Sequence, residues 1–439
     1  MRLTTLVYWL GMTAGALLAA SGAAAQISLS STVGLAVQNS TQVRIASADV
    51  QKAIAAVAEA KDVFIPNLVA GAGLGPPSIG FPLGQPSLFN VTTQSLAYSF
   101  SQRDYIRAAQ AGLKSAQLTL KDDQDQVTLD CAMAYIQLDT DERELAELAE
   151  EKTDAERLVS IERDRLGAGV DSRMDETDAE ITSAQIDIKE LHIEDDSGDQ
   201  RRKLAHLTGL PAASFISQPN SIPPLPDFLG DDTLVDQALA SNSGIQAAGA
   251  NVKSRLETFW GDQKQNYRPQ FAFGAQYSRF AGFENYSQYY LHFTNDNFGA
   301  AVQITFPIFD ANRRAKARES AADARHAVVE AAQAKNQVSE QIESLRHDLK
   351  ELRAQLHLNQ LQSQKAQEQL EVVQSELKNG TGSPTAAPVT PKEEELARIE
   401  AQQRSQDVLN ANLSLMRAEL SLLRAVGSID NWVNSAAKP

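Results

Sequence analysis

Charged residues with the spacing to act together gather around one predicted turn. Arg165 and Arg173 flank the segment Gly167-Ala168-Gly169-Val170-Asp171, and Asp175 and Asp178 follow it three residues apart. Positions i and i+3 share a helix face, and carboxylates in a first helical turn also favour the positive end of the helix. The pattern fits two interpretations: helix caps, or acidic groups that bind cations at a constriction.

Catalytic chemistry finds little support in the rest of the chain. Cys131 is the one cysteine, and its place in a helical pattern predicts a buried free thiol. The sequence contains no nucleophile-elbow or phosphate-loop motif. The six histidines show no metal-ligand spacing: His192, His206, His292, His326, His347 and His357. We therefore predict that the protein is not an enzyme and has no catalytic residue, cofactor or metal site.

The N-terminus predicts export. Arg2 precedes an apolar run from Leu3 to Ala20, and small residues follow up to Ala25. This is the pattern of a signal peptide over residues 1–25. No later segment approaches the roughly 20 consecutive apolar residues of a membrane helix, so a mature chain that enters a membrane must do so as strands. The net charge of −16 argues against nucleic acid as a partner.

Two copies of one unit follow each other along the chain. Pro66-Asn67-Leu68-Val69-Ala70-Gly71-Ala72 in the first copy matches Pro269-Gln270-Phe271-Ala272-Phe273-Gly274-Ala275 in the second. Such a period, about 200 residues, is the size of a domain and not of a solenoid repeat. We predict a first helix and strand repeat over 26–210, a proline-rich linker over 211–232, a second repeat over 233–427 and a C-terminal tail over 428–439.

Long helices dominate the predicted architecture. No glycine or proline occurs from Arg313 to Lys378, where apolar residues recur at alternating steps of four and three: Val338, Ile342, Leu345, Leu349, Leu352 and Leu356. This spacing predicts a coiled-coil seam. Leu113 to Leu166 and Lys392 to Val426 follow the same pattern. At about 1.5 Å per residue the longest of these helices is on the order of 100 Å long.

Short segments of period two lie next to the helices. Apolar residues occupy one side of the segment that ends near residue 308 and of its predicted partner: Phe298, Val302, Ile304, Phe306 and Ile308, with Phe271 and Phe273. Gly299, Ala301, Gln303 and Thr305 occupy the opposite side. This alternation with aromatic ends is typical of a lipid-facing strand, although a soluble hairpin with one buried face has the same pattern.

The strands cannot close a barrel within one chain. Two strands from each copy give four, and each unpaired edge would leave backbone groups bare in hydrocarbon. Several chains must therefore share one barrel, and three chains would supply twelve strands. We predict an internally duplicated α+β membrane protein with a long coiled-coil helical barrel and a shared antiparallel transmembrane β-barrel.

These features resemble the outer-membrane efflux protein family, whose type member is TolC. Three segments carry the resemblance: residues 298–310 (FGAAVQITFPIFD), 204–211 (LAHLTGLP) and 165–175 (RLGAGVDSRMD). In that family the third segment forms the turn between two long helices at the periplasmic tip. The second tip departs from the pattern, because three prolines follow Gly380 and must form a loop.

The resemblance implies a homotrimer in the outer membrane, with its helical part in the periplasm. It implies a passive exit duct that works with a periplasmic adaptor and an inner-membrane pump, in efflux or type I secretion. The candidate tip and gate residues are Gly167, Gly169, Arg173, Asp175, Asp178 and Gly380. A periplasmic coiled-coil adaptor and a soluble scaffold are the alternatives, and membrane fractionation separates the scaffold from a barrel.

Overall fold

The computed structural model describes residues 27–73, 87–228, 233–281, 294, 296–379 and 389–435. The predicted signal peptide, Gly380 and most of the proline-rich loop of the second tip lie outside this part of the chain. Within it, none of the helices is long and apolar enough to cross a membrane.

Helices account for most of the described chain. In chain order they are α1 (Leu29–Asn39), α2 (Thr41–Asp62), α3 (Phe100–Gly167), α4 (Arg173–Thr208), α5 (Leu234–Ser241), α6 (Ser243–Gln265), α7 (Ala311–Asn379), α8 (Pro391–Ala425) and α9 (Ile429–Ser435). The three predicted coiled-coil helices are confirmed as α3, α7 and α8. The first of them begins at Phe100, earlier than the apolar periodicity indicates, because strand β2 ends at Ser99 and passes into the helix without a loop.

Four strands form one antiparallel sheet. They are β1 (Asn67–Gly73), β2 (Ser87–Ser99), β3 (Gln270–Ala281) and β4 (Asp296–Thr305), in the order β1-β2-β3-β4. The prediction of two strands from each copy is confirmed. Among the described residues, β1 and β4 each have a single neighbour, so both outer edges of the sheet are unpaired.

The element order is itself duplicated. Two helices, two strands and two long helices occur as α1 to α4 with β1 and β2, and again as α5 to α8 with β3 and β4. The short helix α9 lies in the segment predicted as a tail, and its Ile429, Trp432 and Val433 are buried.

One compact unit contains the described residues of Met1–Ile45, Asp122–Asn242 and Val338–Pro439. The predicted seam of α7 packs here: Ile342 and Leu349 are buried in a cluster with Leu234 of α5 and Leu415 and Leu422 of α8. Cys131 is buried in the same unit as a free thiol, as predicted, and burial raises its pKa to about 12. The thiol is therefore unreactive at neutral pH.

The other compact unit contains the described residues of Ala46–Lys121 and Ser243–Gln337, including the sheet. Helices α3 and α6 approach each other closely in this unit. A Cβ at Gly261 would lie 2.6 Å from the ring of Tyr105, so the approach requires a glycine. The Tyr105 hydroxyl donates a hydrogen bond to Asp262 Oδ1 at 2.6 Å, and Lys264 pairs with the buried Asp104 at 2.7 Å.

Candidate functional site

The turn between α3 and α4 has the backbone of a helix C-terminus. Gly169 has a φ of 73°, and its N–H donates to the Leu166 carbonyl at 2.9 Å, while the Val170 N–H donates to the Arg165 carbonyl at 2.9 Å. Left-handed backbone favours glycine, which explains this residue at the turn. No atom lies within 4 Å of a Cβ built at Gly167 or Gly169, so both positions face open space.

Ser172 and Asp175 close the start of α4 with a capping box. The Asp175 N–H donates to Ser172 Oγ at 3.4 Å, and the Ser172 N–H donates to Asp175 Oδ2 at 2.9 Å. Hydrogen bonds from the Ser172 hydroxyl and backbone, with Lys392 nearby, lower the pKa of Asp175 to about 2. The cap interpretation of Asp175 is thus correct in geometry, and the carboxylate is ionised at neutral pH.

Lys392 of α8 lies against three carboxylates of this region. Its Nζ is 2.6 Å from Glu162 Oε1, 3.4 Å from Asp175 Oδ1 and 3.9 Å from Asp171 Oδ2. Pairing with Glu162, which is only 1% exposed, is the largest cause of the raised pKa of Lys392. We call these four residues the tip cluster. It links α8 to the turn between α3 and α4.

The other charged residues near the predicted turn do not pair with Lys392. Arg165 pairs with Asp171 at 2.5 Å and lowers the pKa of that carboxyl. Asp178 is exposed, one turn beyond Asp175. Arg173 forms no ion pair with any described residue, so the cation beside Asp175 is Lys392 and not Arg173.

Sequence reasoning missed Glu162 and Lys392, although one signal for Lys392 was present. A basic side chain in the first turn of a helix opposes the helix dipole. Its presence two residues after Thr390, whose N–H donates to Glu393 Oε2 at 2.7 Å, indicates a carboxylate partner from elsewhere in the chain. Glu162 carried no such signal, because acidic residues are common throughout α3.

Apolar and polar residues pack between α3, α4 and α8 next to the tip cluster. Leu158 of α3, Ala179 and Ile186 of α4 and Ile399 of α8 are buried together. Further along the same helices, Gln406 Nε2 donates to Glu151 Oε2 at 2.8 Å in a fully buried contact. Helix α8 is thus fixed against α3 and α4 by specific polar pairs as well as by packing.

The second candidate surface is one face of the sheet. Phe271 lies opposite Ile304, Phe273 opposite Val302, and Tyr277 opposite Phe298. Residues directly opposite each other project to the same side, so the predicted apolar residues of β3 and β4 share one face. Phe298 is 71% exposed and Val302 67% exposed. Phe306 and Ile308 follow the strand and are also exposed.

On the opposite face, β3 and β4 carry mainly polar and small residues. Gln94 of β2, Gln276 of β3 and Gln303 of β4 lie on it, with Gly274, Ala301 and Thr305 between them. It lines a shallow concavity. β3 and β4 therefore have one apolar side and one mainly hydrophilic side, as the period of two predicted.

Long paired helices joined to an amphipathic four-stranded sheet define a fold found in outer-membrane channels. VceC, an outer membrane protein of Vibrio cholerae, matches with a TM-score of 0.74 at 18% identity, over 91% of this chain and 96% of that chain. The CmeC outer membrane channel of Campylobacter jejuni matches with 0.72 at 13% identity, over 93% and 89%. The MtrE outer membrane channel of Neisseria gonorrhoeae matches with 0.70 at 17% identity, over 91% and 88%.

Sequence comparison also points to outer-membrane proteins. Residues 32–210 match the family model described as outer membrane efflux protein. The predicted resemblance to the outer-membrane efflux protein family is thereby confirmed. No curated protein sequence matches the chain.

Proposed function

We propose that the chain is one subunit of a homotrimeric outer-membrane channel that serves as a passive exit duct. The amphipathic sheet, whose two outer edges have no partner strand among the described residues, carries the proposal. Strand edges left open in hydrocarbon would cost several kcal/mol for each unsatisfied backbone group, so β1 and β4 need partner strands from other copies. Three copies would contribute twelve strands to one barrel, with the apolar faces towards lipid.

Helix α4 supports association between copies. Four of its apolar side chains recur at spacings of seven, seven and three and are exposed: Met174, Ile181, Ile188 and Leu191. Such spacing is a coiled-coil seam without a partner in the single chain. Helices of neighbouring subunits would cover it and form the wall of the duct in the periplasm.

The mass of the detergent-solubilised protein tests this proposal. We expect particles of three protomer masses that remain in the outer-membrane fraction after salt washing. A folded, monodisperse monomer would contradict the shared barrel. Release by salt alone would support a soluble scaffold instead.

The turn between α3 and α4 is proposed as the periplasmic tip, where the duct meets an adaptor and narrows. Gly169 is the best candidate contact, because its Cβ position faces open space. Gly169→Trp should weaken cross-linking to the adaptor and leave the trimer intact, although left-handed backbone also strains the variant by about 1–2 kcal/mol. Gly169→Ala carries the same strain without the bulk and is the matched control. Equal cross-linking of both variants would exclude this contact.

Asp175 and Asp178 are proposed to form acidic rings at the entrance. The pair Asp175→Asn and Asp178→Asn should raise single-channel conductance in planar bilayers and weaken block by divalent cations. Because the pKa of Asp175 is lowered to about 2, its charge and its contribution to stability are present above about pH 4 and are lost as the pH falls towards 2. We therefore expect the Asp175 part of the cation block to persist down to about pH 4. Unchanged conductance in the double variant would restrict both carboxylates to a role in helix α4.

A further inference from the structure

One end of the apolar sheet face is closed by a layer of aromatic rings. Tyr98 lies opposite Phe271, which lies opposite Ile304, so both rings belong to the apolar face. The ring centroids of Tyr98 and Phe271 are 6.3 Å apart, and Tyr98 meets Phe100 edge to face at 4.9 Å. This is the end at which β2 passes into α3 and β4 leads towards α7.

Two arginines stack on aromatic rings, one of them on Phe100 of this layer. The Arg268 guanidinium carbon is 5.3 Å from the centroids of both Phe100 and Tyr267, and that of Arg314 is 4.9 Å from the centroid of Phe309. Neither Arg268 nor Arg314 forms an ion pair with a residue that the structure describes. The rings hold both cations at the surface through cation–π contacts.

Three carboxylates close in sequence to these rings and arginines already have other partners. Asp104 pairs with Lys264 at 2.7 Å, Asp262 accepts from the Tyr105 hydroxyl at 2.6 Å, and Asp310 pairs with Arg313 at 3.1 Å. Positive charge is locally concentrated although the chain has a net charge of −16: residues 311–318 contain Arg313, Arg314, Lys316 and Arg318 and no acidic residue. The two stacked arginines are thus available to an external anion.

Exposed apolar groups lie beside these cations. Phe306 is 64% exposed, Ile308 92% and Phe309 72%, and Tyr267, which contacts Arg268, is 54% exposed. A free phosphate ion would leave these groups in water. A ligand that joins a phosphate to acyl chains would contact both the arginines and the apolar groups.

We propose that Arg268 and Arg314 bind headgroup phosphates of anionic phospholipids whose acyl chains lie along the apolar sheet face. This inference rests on the proposed function, since it requires that face to lie in a membrane. Guanidinium groups bind phosphate oxygens in a bidentate manner, and tyrosines at such a boundary keep the ring in hydrocarbon and the hydroxyl in water. The site would fix the depth of the channel in the periplasmic leaflet.

Lipid retention by the intact assembly tests the proposal. The purified channel is incubated with equal amounts of phosphatidylglycerol and phosphatidylcholine with identical acyl chains, and bound lipids are counted by native mass spectrometry. We expect preferential retention of phosphatidylglycerol, and a preference lower by about fivefold for each arginine removed in Arg268→Gln and Arg314→Gln. Arg325→Gln removes an exposed arginine three turns further along α7 and should leave the preference unchanged.

Three results would overturn the proposal: equal preference in the double variant and the parent, an equal loss in Arg325→Gln, or displacement of the lipid by millimolar inorganic phosphate, which would indicate a free-anion site. If the glutamine variants do not assemble, two other measurements test the proposal. They are the lipid preference of the double variant Arg268→Lys and Arg314→Lys, and a salt titration of the parent. The lysine variant must keep the preference for phosphatidylglycerol, and the preference of the parent must fall as the salt concentration rises. Failure of the channel to enter membranes at all would instead contradict the proposed function, and fractionation detects that separately.

Discussion

At the scale of single residues, Lys392 has the contacts that connect the turn between α3 and α4 to helix α8. It lies within 3.9 Å of Glu162, Asp171 and Asp175, and Glu162 is buried. A carboxylate in such a position depends on its partner, because its charge has little access to water. The link joins residues 230 positions apart in sequence, since Lys392 and Glu162 are on different helices.

Removal of this cation is expected to destabilise the unit that contains the tip. Lys392→Met keeps the side-chain length but leaves Glu162 charged and buried, at a cost of about 1–3 kcal/mol. The measurement is the thermal unfolding midpoint of the purified assembly. Lys378→Met removes an exposed lysine near the end of α7 and is the control.

A second substitution separates the charge effect from a packing effect. Glu162→Gln added to Lys392→Met should recover most of the lost stability, because no buried charge then remains unpaired. Additive losses in the double variant would mean that the ion pair does not account for the effect of Lys392.

The burial of Asp141 makes the stability of the protein depend on pH. It is 1% exposed, and burial raises its pKa to about 6, with Asp196 and Glu144 acting in the same direction and a hydrogen bond from Gln137 opposing it. The folded state therefore binds a proton that the unfolded state releases between about pH 4 and 6. Stability falls as the pH rises through this window.

Replacement of Asp141 should accordingly stabilise the protein at neutral pH. Asp141→Asn is expected to raise the free energy of unfolding at pH 8 by about 1–3 kcal/mol and to flatten the dependence between pH 4 and 6. Denaturation at a series of pH values measures both effects. Asp178→Asn, which changes an exposed carboxylate, should alter neither the stability at pH 8 nor its pH dependence. A loss of stability at pH 8 in Asp141→Asn would contradict a raised pKa of Asp141.

At the scale of elements, patterns that depend on neighbours in sequence were predictable. The steps of four and three in α7 predicted the residues that pack, including Ile342 and Leu349, and the period of two in β4 predicted the apolar face with Phe298 and Val302. The start of α3 at Phe100 was missed, because its first turns lack the apolar periodicity that marks the later part.

Contacts between distant elements were not predictable from one sequence. Asp175 could be recognised as a cap because Ser172 stands three residues before it. Its second partner, Lys392, depends on the packing of α8 against α3 and α4, which no local spacing encodes. The glutamine and carboxylate pairs such as Gln406 with Glu151 were missed for the same reason.

The two faces of β4 give a matched test of the strand prediction. Val302 and Gln303 are neighbours on opposite faces, so the same substitution probes the proposed lipid side and the proposed lumen side at one depth. Val302→Arg should cost about 2–4 kcal/mol if the apolar face contacts hydrocarbon, and Gln303→Arg should cost little. The amount of trimer in the outer-membrane fraction and its thermal midpoint are the measurements. Equal effects of the two variants would contradict a lipid-facing side.

At the scale of the whole molecule, the direction of the strands fits a shared barrel. Because all three pairings are antiparallel, β4 runs opposite to β1. The β4 edge of one copy could therefore join the β1 edge of the next without breaking the antiparallel pattern. Twelve strands closed in this way would have no free edge.

Disulfides engineered across the proposed junction test this closure. The chain has one cysteine, Cys131, which is buried, so introduced thiols react without interference. Val69→Cys on β1 is combined in turn with Gly299→Cys, Ala301→Cys or Gln303→Cys on β4, because all four positions lie on the polar face. One of the three registers should bring the Cβ atoms to about 4 Å and form a disulfide between chains.

Oxidation of the matching pair should give a ladder on denaturing gels that ends at three protomers. Val69→Cys with Gln276→Cys is the control, since β3 is separated from the β1 edge of its own sheet by β2 and from the junction by β4. That pair should stay monomeric. A cross-link confined to single chains would mean that each sheet closes on itself. A ladder that extends beyond three protomers would agree with edges shared between chains but would exclude a trimer. Because the closed ring leaves no edge for a fourth copy, the length of the ladder measures the number of subunits directly.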